Sequence, residues 1–183
     1  MWAIKLLARY LEGEPLKIVL EHSRHVAALA LEVADRLALA ESERLFIEEA
    51  SLLHDIGVCQ VHAPGLGLYG KHPYIMHGVL GRDILDREGY PLHALVCERH
   101  TGVGLTCEDI IRQALPLPHR EMCPQTVAEQ VVCYADLFYS KKPGRLDERK
   151  TVAQVRKKLL HFGEDKAAVF DSWCERFGCK DRS

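Results

Sequence analysis

The pair His54-Asp55 closes an apolar segment, residues 50–57. Imidazole and carboxylate together are ligands suited to Mn, Fe, Co or Zn. Neighbouring side chains on a helix diverge by about 100°, but near a helix end both can reach one ion, or the carboxylate can bridge two. Taken alone, the pair is equally consistent with a polar helix end that faces water. Further ligands must decide between the two interpretations.

A second candidate ligand is His22, which lies inside the apolar stripe of a predicted helix. It stands four residues after Ile18 and four before Val26, so its side chain is expected to point inward. His25 instead shares its face with Glu21, which places it on the polar flank. Periodicity therefore favours His22 as the buried group, although a lone inward histidine is more often a hydrogen-bonded core residue.

Three more ligand-type residues occupy inward positions. His77 shares a helix face with Ile84, Asp136 shares one with Val132, and His100 ends its helix. An inward carboxylate is costly unless it is paired or binds a metal. Ligand-type residues on so many separate inward faces are hard to explain as independent accidents, and we expect them to meet at one site.

In this order, His22, His54-Asp55 and Asp136 resemble the signature of the HD-domain metal-dependent phosphohydrolase superfamily. The matching strings are His-Ser-Arg-His-Val-Ala from residue 22, Leu-His-Asp-Ile-Gly ending at residue 57 and Tyr-Ala-Asp ending at residue 136. The segments His-Gly-Val-Leu-Gly from residue 77 and His-Thr-Gly from residue 100 resemble the extra histidines of two-metal branches. The resemblance covers residues 16–142.

Within the superfamily, the chain is similar to an HDIG-containing group and to the branch that hydrolyses diadenosine tetraphosphate symmetrically. It departs from that branch at residues 137–145, which lack the acidic residue of an acid-Pro-x-Arg element and keep only Lys141 or Lys142 as its basic group. The Gly-Tyr-Pro element of cyclic-di-nucleotide phosphodiesterases is also missing.

The resemblance implies two divalent transition metals per chain, drawn from Mn, Fe, Co or Zn. The first would be held by His22, His54, Asp55 and Asp136. The second would be held by His77 and His100, with Asp55 bridging. Such a centre would use a metal-activated hydroxide to cleave a phosphoester or phosphoanhydride, with a nucleotide as the expected substrate. The rival interpretations are an HD-type mixed-valent di-iron oxygenase, a catalytically silent nucleotide-binding module, and a helical bundle with coincidental histidines.

Besides Asp55, two residues are candidates for catalytic roles. Lys141 follows the predicted Asp136 helix and could bind a phosphate, and His25 could donate a proton or support His22. Other candidate phosphate-binding cations, each more often an ordinary surface charge, are Lys71, Arg82 and Arg99. The remaining histidines are interpreted as non-ligands: His62, His72, His93, His119 and His161.

Apolar periodicity predicts an all-α, single-domain helical bundle of the HD type with eight or nine helices. We assign residues 1–183 to one domain, 16–142 to its HD core and 146–178 to a C-terminal helical pair that could cap the core or support a homodimer. Ser42 is the expected N-cap of the second helix and Gly57 its stop, and residues 58–72 are expected to form a loop. The predicted helices are 16–38, 42–55, 73–88, 91–100, 106–114, 126–140, 149–162 and 164–177.

The amino-acid composition limits the classes of partner that the protein is expected to bind. With 24 basic and 26 acidic residues among 183, the net charge of -2 gives no electrostatic footprint for nucleic acid or a membrane surface. The seven cysteines are odd in number and lack Cys-x-x-Cys spacing, so they are expected to be reduced thiols in a cytoplasmic protein. Residues 1–10 do not resemble a signal peptide. The expected partner is a small phosphorylated molecule.

Overall fold

The computed structural model describes residues 1–178, which form nine α-helices and a short antiparallel pairing of His62–Ala63 with Leu68–Tyr69. The prediction of an all-α single domain with eight or nine helices is confirmed. Cys179, one of the expected thiols, lies outside the described residues. The helices are α1 (Trp2–Tyr10), α2 (Gly13–Arg36), α3 (Glu41–Leu53), α4 (His77–Arg87), α5 (Pro91–Arg99), α6 (Cys107–Arg112), α7 (Val127–Leu137), α8 (Val152–Leu160) and α9 (Glu164–Phe177).

Helix α1 is an element that the sequence analysis missed. Its residues Ala3, Leu6 and Leu7 are buried, at the spacing of an amphipathic helix. The indole of Trp2 donates a hydrogen bond of 2.5 Å to Glu49 of α3. A segment considered only as a poor signal peptide is thus part of the core.

Three apolar clusters fill the interior of the described residues, and two of them are large. One is formed by α2, α3, α7, α8 and α9, and the other by α1, the ends of α2 and α3, α4 and α5. In the first cluster the ring centroids of Tyr134 on α7 lie 5.7 Å from Phe170 and 5.2 Å from Phe177, both on α9. Helix α9 therefore packs directly on α7, the helix that carries Asp136, and α8 packs on α9.

Some predicted boundaries are wrong. Helix α3 begins at Glu41, and the amide of Ala40 is capped by the Glu43 carboxylate at 3.2 Å, so Ser42 already lies in the first turn and is not the N-cap. A 3-10 turn, Tyr74–Met76, separates Pro73 from α4. Residues 58–72 are not a plain loop, because they include part of the 3-10 helix Ile56–Gln60 and the β-pairing.

A search of the described residues, 1–178, finds no helix with the length and apolar character needed to cross a membrane.

Candidate metal centre

Four ligand-type side chains from three helical segments meet at one point. Nε2 of His22, in the middle of α2, lies 2.9 Å from Oδ1 of Asp136 and 3.4 Å from Nε2 of His54. Nε2 of His54 lies 3.0 Å from Oδ2 of Asp55. The ligand atoms of all four side chains lie within 4.8 Å of one another: His22, His54, Asp55 and Asp136.

Asp55 also belongs to a second group, with His77 at the start of α4 and His100 directly after α5. Its Oδ1 lies 3.5 Å from Nε2 of His77 and 3.7 Å from Nε2 of His100, and these two nitrogens are 2.9 Å apart. Since Oδ2 faces the first group, this one carboxylate presents one oxygen to each side. That is the geometry of a ligand able to bridge two ions.

The backbone between α3 and α4 brings the two groups together. Helix α3 ends at Leu53, so His54 is its C-cap, and Asp55 leaves the helical conformation at φ -104° and ψ 9°. This break turns both side chains toward one site. Gly57 then packs so tightly against α4 that a Cβ there would lie 2.0 Å from the His77 carbonyl oxygen. Gly57 is therefore needed for this close approach, and the helix has ended before it.

Three of the imidazoles are held by backbone carbonyls three residues earlier. Nδ1 of His54 lies 2.6 Å from the Ser51 oxygen, and Nδ1 of His77 lies 2.7 Å from the Tyr74 oxygen. His100 repeats the contact with the Cys97 oxygen at 2.7 Å. A carbonyl only accepts, so each Nδ1 carries a proton and each Nε2 is directed toward the centre. Such contacts orient metal-binding histidines.

The electrostatics of the centre favour a bound cation. Burial lowers the pKa of His22 to about 4 and that of His100 to about 3, so these imidazoles are neutral. Burial opposes ionisation of Asp55, but His54 and Lys141 hold the pKa of this carboxyl well below its usual range. Burial likewise lowers the pKa of His54, but the carboxylates of Asp55 and Asp136 outweigh it and raise the pKa to about 10. The carboxylates of Asp55 and Asp136 are thus stabilised by positive charge placed next to them.

The side chains fit a divalent transition metal. Among residues 1–178, Oδ1 of Asp55 is buried without a hydrogen-bond partner, and the nitrogens of His77 and His100 lie 3.5 and 3.7 Å from it. Leaving a buried carboxylate oxygen without a donor costs free energy that a cation would recover. Mixed imidazole and carboxylate donors are those that Mn, Fe, Co and Zn accept, so the cluster is compatible with divalent metal.

The centre opens into a cavity of about 320 Å³ with three lysines in its walls, Lys141, Lys150 and Lys158. Nζ of Lys141 lies 2.5 Å from Oδ2 of Asp55 and 3.3 Å from Nε2 of His22. Burial disfavours this ammonium, but the Asp55 carboxylate raises its pKa, so it stays charged. Each ligand group contributes to the lining, the first through Asp136 and the second through His77 and His100, and we call this space the site cavity.

Sequence reasoning missed three residues of the site cavity: Tyr74, Lys150 and Lys158. Burial raises the pKa of Tyr74 to about 12, so its hydroxyl keeps its proton. Nζ of Lys150 donates to the carbonyls of Leu137 and Tyr139 at 3.2 and 2.8 Å. None of the three stands in a motif, and the order of residues along the chain offered no signal for them.

The other candidate phosphate-binding cations lie elsewhere. Arg82 is bonded to Glu98, Arg99 donates to Glu129 at 3.0 Å, and Lys71 is exposed. The site cavity contains none of them.

His25 stands apart from both ligand groups. Its ring stacks on Tyr139, with centroids 5.3 Å apart and planes at 19°. Tyr139 lines the site cavity, whereas His25 does not. The structure thus gives His25 a contact beside the site and none with the clustered ligand atoms. The five histidines interpreted as non-ligands also lie outside both groups.

Comparison with known proteins identifies the family. The sequence profile described as the HD domain matches residues 19–140. The chain belongs to the HD domain family. This confirms the broad resemblance to HD proteins, whereas the HDIG group and the diadenosine tetraphosphate branch stay predictions.

Two curated relatives illustrate the family's range. An uncharacterized protein of Methanocaldococcus jannaschii, MJ0778, is 35% identical over 136 residues, which cover 71% of this HD chain and 72% of that protein. A tRNA (cytidine(56)-2'-O)-methyltransferase of Thermoplasma volcanium is 32% identical over 152 residues. That match covers 82% of this chain but only 40% of the methyltransferase, so the chain spans less than half of that relative.

Two solved structures share the fold. The HD domain of the L. monocytogenes phosphodiesterase PgpH matches 95% of this chain and 87% of its own, with a TM-score of 0.57 and 17% identity. The same domain in complex with cyclic-di-AMP matches both chains in full, with a TM-score of 0.54 and 14% identity. At this level of identity the likeness shows the HD fold alone.

Proposed function

We propose that this HD-family chain is a metal-dependent phosphohydrolase that cleaves a phosphoester or phosphoanhydride bond of a nucleotide. The observation that carries the proposal is the sharing of Asp55 between two ligand groups, which reach a cavity with three lysines in its walls through His77, His100 and Asp136. Metal ions held by the two groups, together with the lysines, would suit a substrate rich in negative charge. The likeness to PgpH, a phosphodiesterase with a structure in complex with cyclic-di-AMP, supports the same class of substrate.

In this proposal His22, His54, Asp55 and Asp136 would hold one divalent ion, and His77 and His100 would hold a second together with the shared Asp55. When bound, such ions lower the pKa of a coordinated water from about 15.7 toward about 7 and neutralise charge on phosphoryl oxygens. The ionised carboxylates and the neutral imidazoles of His22 and His100 are already in the protonation states that ligands need, whereas His54 would give up its Nε2 proton when an ion binds.

The chain supplies the remaining chemistry. Lys141, at the boundary between the ligands and the open cavity, binds a phosphoryl oxygen through its ammonium group. Such a donor stabilises charge that develops in the transition state, and its loss typically costs about 10²–10³ in rate. Lys150 and Lys158 add positive potential farther out and attract the anion. We assign His25 a positioning role through its stack on Tyr139.

A phosphate-release screen tests the proposal. Nucleotides, dinucleotides and phosphosugars are each assayed with Mn, Fe(II), Co and Mg. We expect hydrolysis that requires a metal and is lost in Asp136→Ala, while His119→Ala, changed at an exposed histidine outside both ligand groups, retains it. Hydrolysis is followed as free phosphate from a terminal phosphoryl group and, for a dinucleotide, as its nucleotide products separated by chromatography. Failure of every compound with every metal would overturn the proposal. Aerobic oxygen consumption with a di-iron EPR signal would assign the centre to oxygenase chemistry instead.

A further inference from the structure

A second cavity, of about 340 Å³, adjoins the site cavity. The two share four wall residues: Thr101, Gly102, Leu137 and Lys158. We call the second space the side cavity. Because these walls are common, the side cavity lies next to the space over the metal ligands, within reach of a molecule whose charged end binds there.

The walls of the side cavity are mostly apolar and come from two parts of the chain. One wall contains Val103, Leu105 and Leu115, and the opposite wall contains Val155 and Leu159 of α8. Phe162, which follows α8, also lines the side cavity. Residues beyond 140 lie outside the segment that matches the family profile. The side cavity is therefore built where this chain's own C-terminal helices meet the common HD core.

We propose that the side cavity binds the nucleobase of a nucleotide whose phosphate lies in the site cavity. This inference rests on the proposed function and names the part of the substrate that the chain selects. Apolar walls bury the face of a base, and apolar area removed from water is the main source of such affinity. Gln113, whose side chain is exposed at one wall, offers an amide to the polar edge of a base.

The charge distribution fits the same orientation. Lys158 lies in both cavities, between the apolar walls and the metal ligands. An ammonium there suits the phosphate end of a nucleotide, while the apolar walls beyond it suit the base. A sugar phosphate without a base would leave the side cavity empty. Since filling an apolar pocket by even a small group changes affinity about 10- to 200-fold, a nucleotide is expected to bind at least about tenfold more tightly than ribose phosphate.

The test compares ligands that differ only in the base. Non-hydrolysable phosphonate analogues of the adenosine, guanosine, cytidine and uridine 5'-monophosphates and of ribose 5-phosphate are titrated into the Mn-loaded protein, and each Kd is measured by calorimetry. Leu115→Trp fills the side cavity from a half-buried position. Ile111→Trp adds the same ring at an exposed position outside both cavities and is the matched control.

We expect at least one nucleotide analogue to bind about tenfold more tightly than the ribose analogue, and Leu115→Trp to remove that difference while Ile111→Trp keeps it. If Leu115→Trp does not fold, Phe162→Ala is used instead, because it opens the wall of the side cavity at an exposed residue. Phe162→Ala is expected to weaken only nucleotide binding. Its control is Leu160→Ala, changed at an exposed neighbour outside the cavity. Equal affinity of the wild type for all five analogues would overturn the inference. Equal weakening of nucleotide and ribose analogues in Leu115→Trp would do the same.

The two proposals fail in different ways. If the protein binds nucleotides selectively by their base but does not hydrolyse the natural nucleotides, the side cavity is a base-binding site and the proposed hydrolase activity is overturned. Phosphate release without any preference for a base would keep the hydrolase and overturn the base-binding site.

Discussion

Replacing Gly57 with alanine is expected to separate the two ligand groups. The added Cβ would lie 2.0 Å from the His77 carbonyl oxygen and 2.3 Å from the Gly81 nitrogen, whereas ordinary contacts begin at 3.4 Å. The 3-10 helix and α4 must therefore move apart by about 1.4 Å, well beyond the tolerance of about 0.5 Å for a functional site. Because Asp55 lies before Gly57 and His77 begins α4, the second group is displaced while the first keeps its geometry.

The result is read by two assays on the same protein. Metal content measured by mass spectrometry should fall by about one ion per chain, and the free energy of unfolding measured in urea should fall by about 1–3 kcal/mol or more, the cost of overpacking. Gly65→Ala is the matched control, because a Cβ at Gly65 meets no atom within 4 Å and the backbone there is not left-handed. Wild-type metal content and stability in Gly57→Ala would refute this account of the close approach.

Three further predictions concern single side chains. Lys141→Met should lower kcat by about 10²–10³ with metal content unchanged, and an unaltered kcat would remove Lys141 from the mechanism. Burial disfavours the ionised Asp109, but Lys166 and Thr106 hold its pKa at about 2, below its ordinary 3.8. The wild type should therefore be more stable than Asp109→Asn above about pH 4. The difference in melting temperature between the two proteins should shrink as the pH falls toward 2. A constant gap would contradict this. Phe170→Ala should lower the free energy of unfolding by about 3–5 kcal/mol, and the protein should still unfold in one cooperative transition. Val169→Ala, at an exposed position on the same helix, should lower it by less than about 0.5 kcal/mol. Two separate transitions would show that α9 unfolds independently.

The clustered ligand-type residues could be found from the sequence because each obeys a local rule. His22 interrupts an apolar stripe, and in the structure it is fully buried while His25 is only half-buried. The one-turn periodicity of a helix was enough to separate them. Asp136 shares a face with apolar residues in the same way, although 18% of its side chain remains exposed because it lines the site cavity.

The lysines of the site cavity obey no such rule. Lys150 and Lys158 come from the segment before α8 and from α8 itself, and a surface lysine has the same sequence pattern as one that faces a cavity. The packing of α9 on Tyr134, the contact of α8 with α9 and the hydrogen bonds of Lys150 to Leu137 and Tyr139 bring this segment beside the metal ligands. Tertiary contacts of this kind leave no periodic signal in the chain.

Short elements also escaped prediction for physical reasons. The β-strands contain only two residues each, too few for an alternating pattern to be seen. Gly57 was interpreted as a helix stop, because glycine commonly follows helix ends. Its actual role depends on a neighbour twenty residues later in the chain, His77, which local sequence cannot reveal.

The most direct test of the central claim is the metal content of the purified wild-type protein beside two single-ligand variants. Protein prepared without chelators is loaded with Mn, desalted and analysed by mass spectrometry. We expect two ions per chain in the wild type, one in His100→Ala, and none or nearly none in Asp55→Ala, because both ions share that carboxylate. Two ions retained in His100→Ala, or a wild type that binds none, would contradict the claim that Asp55 joins two metal sites.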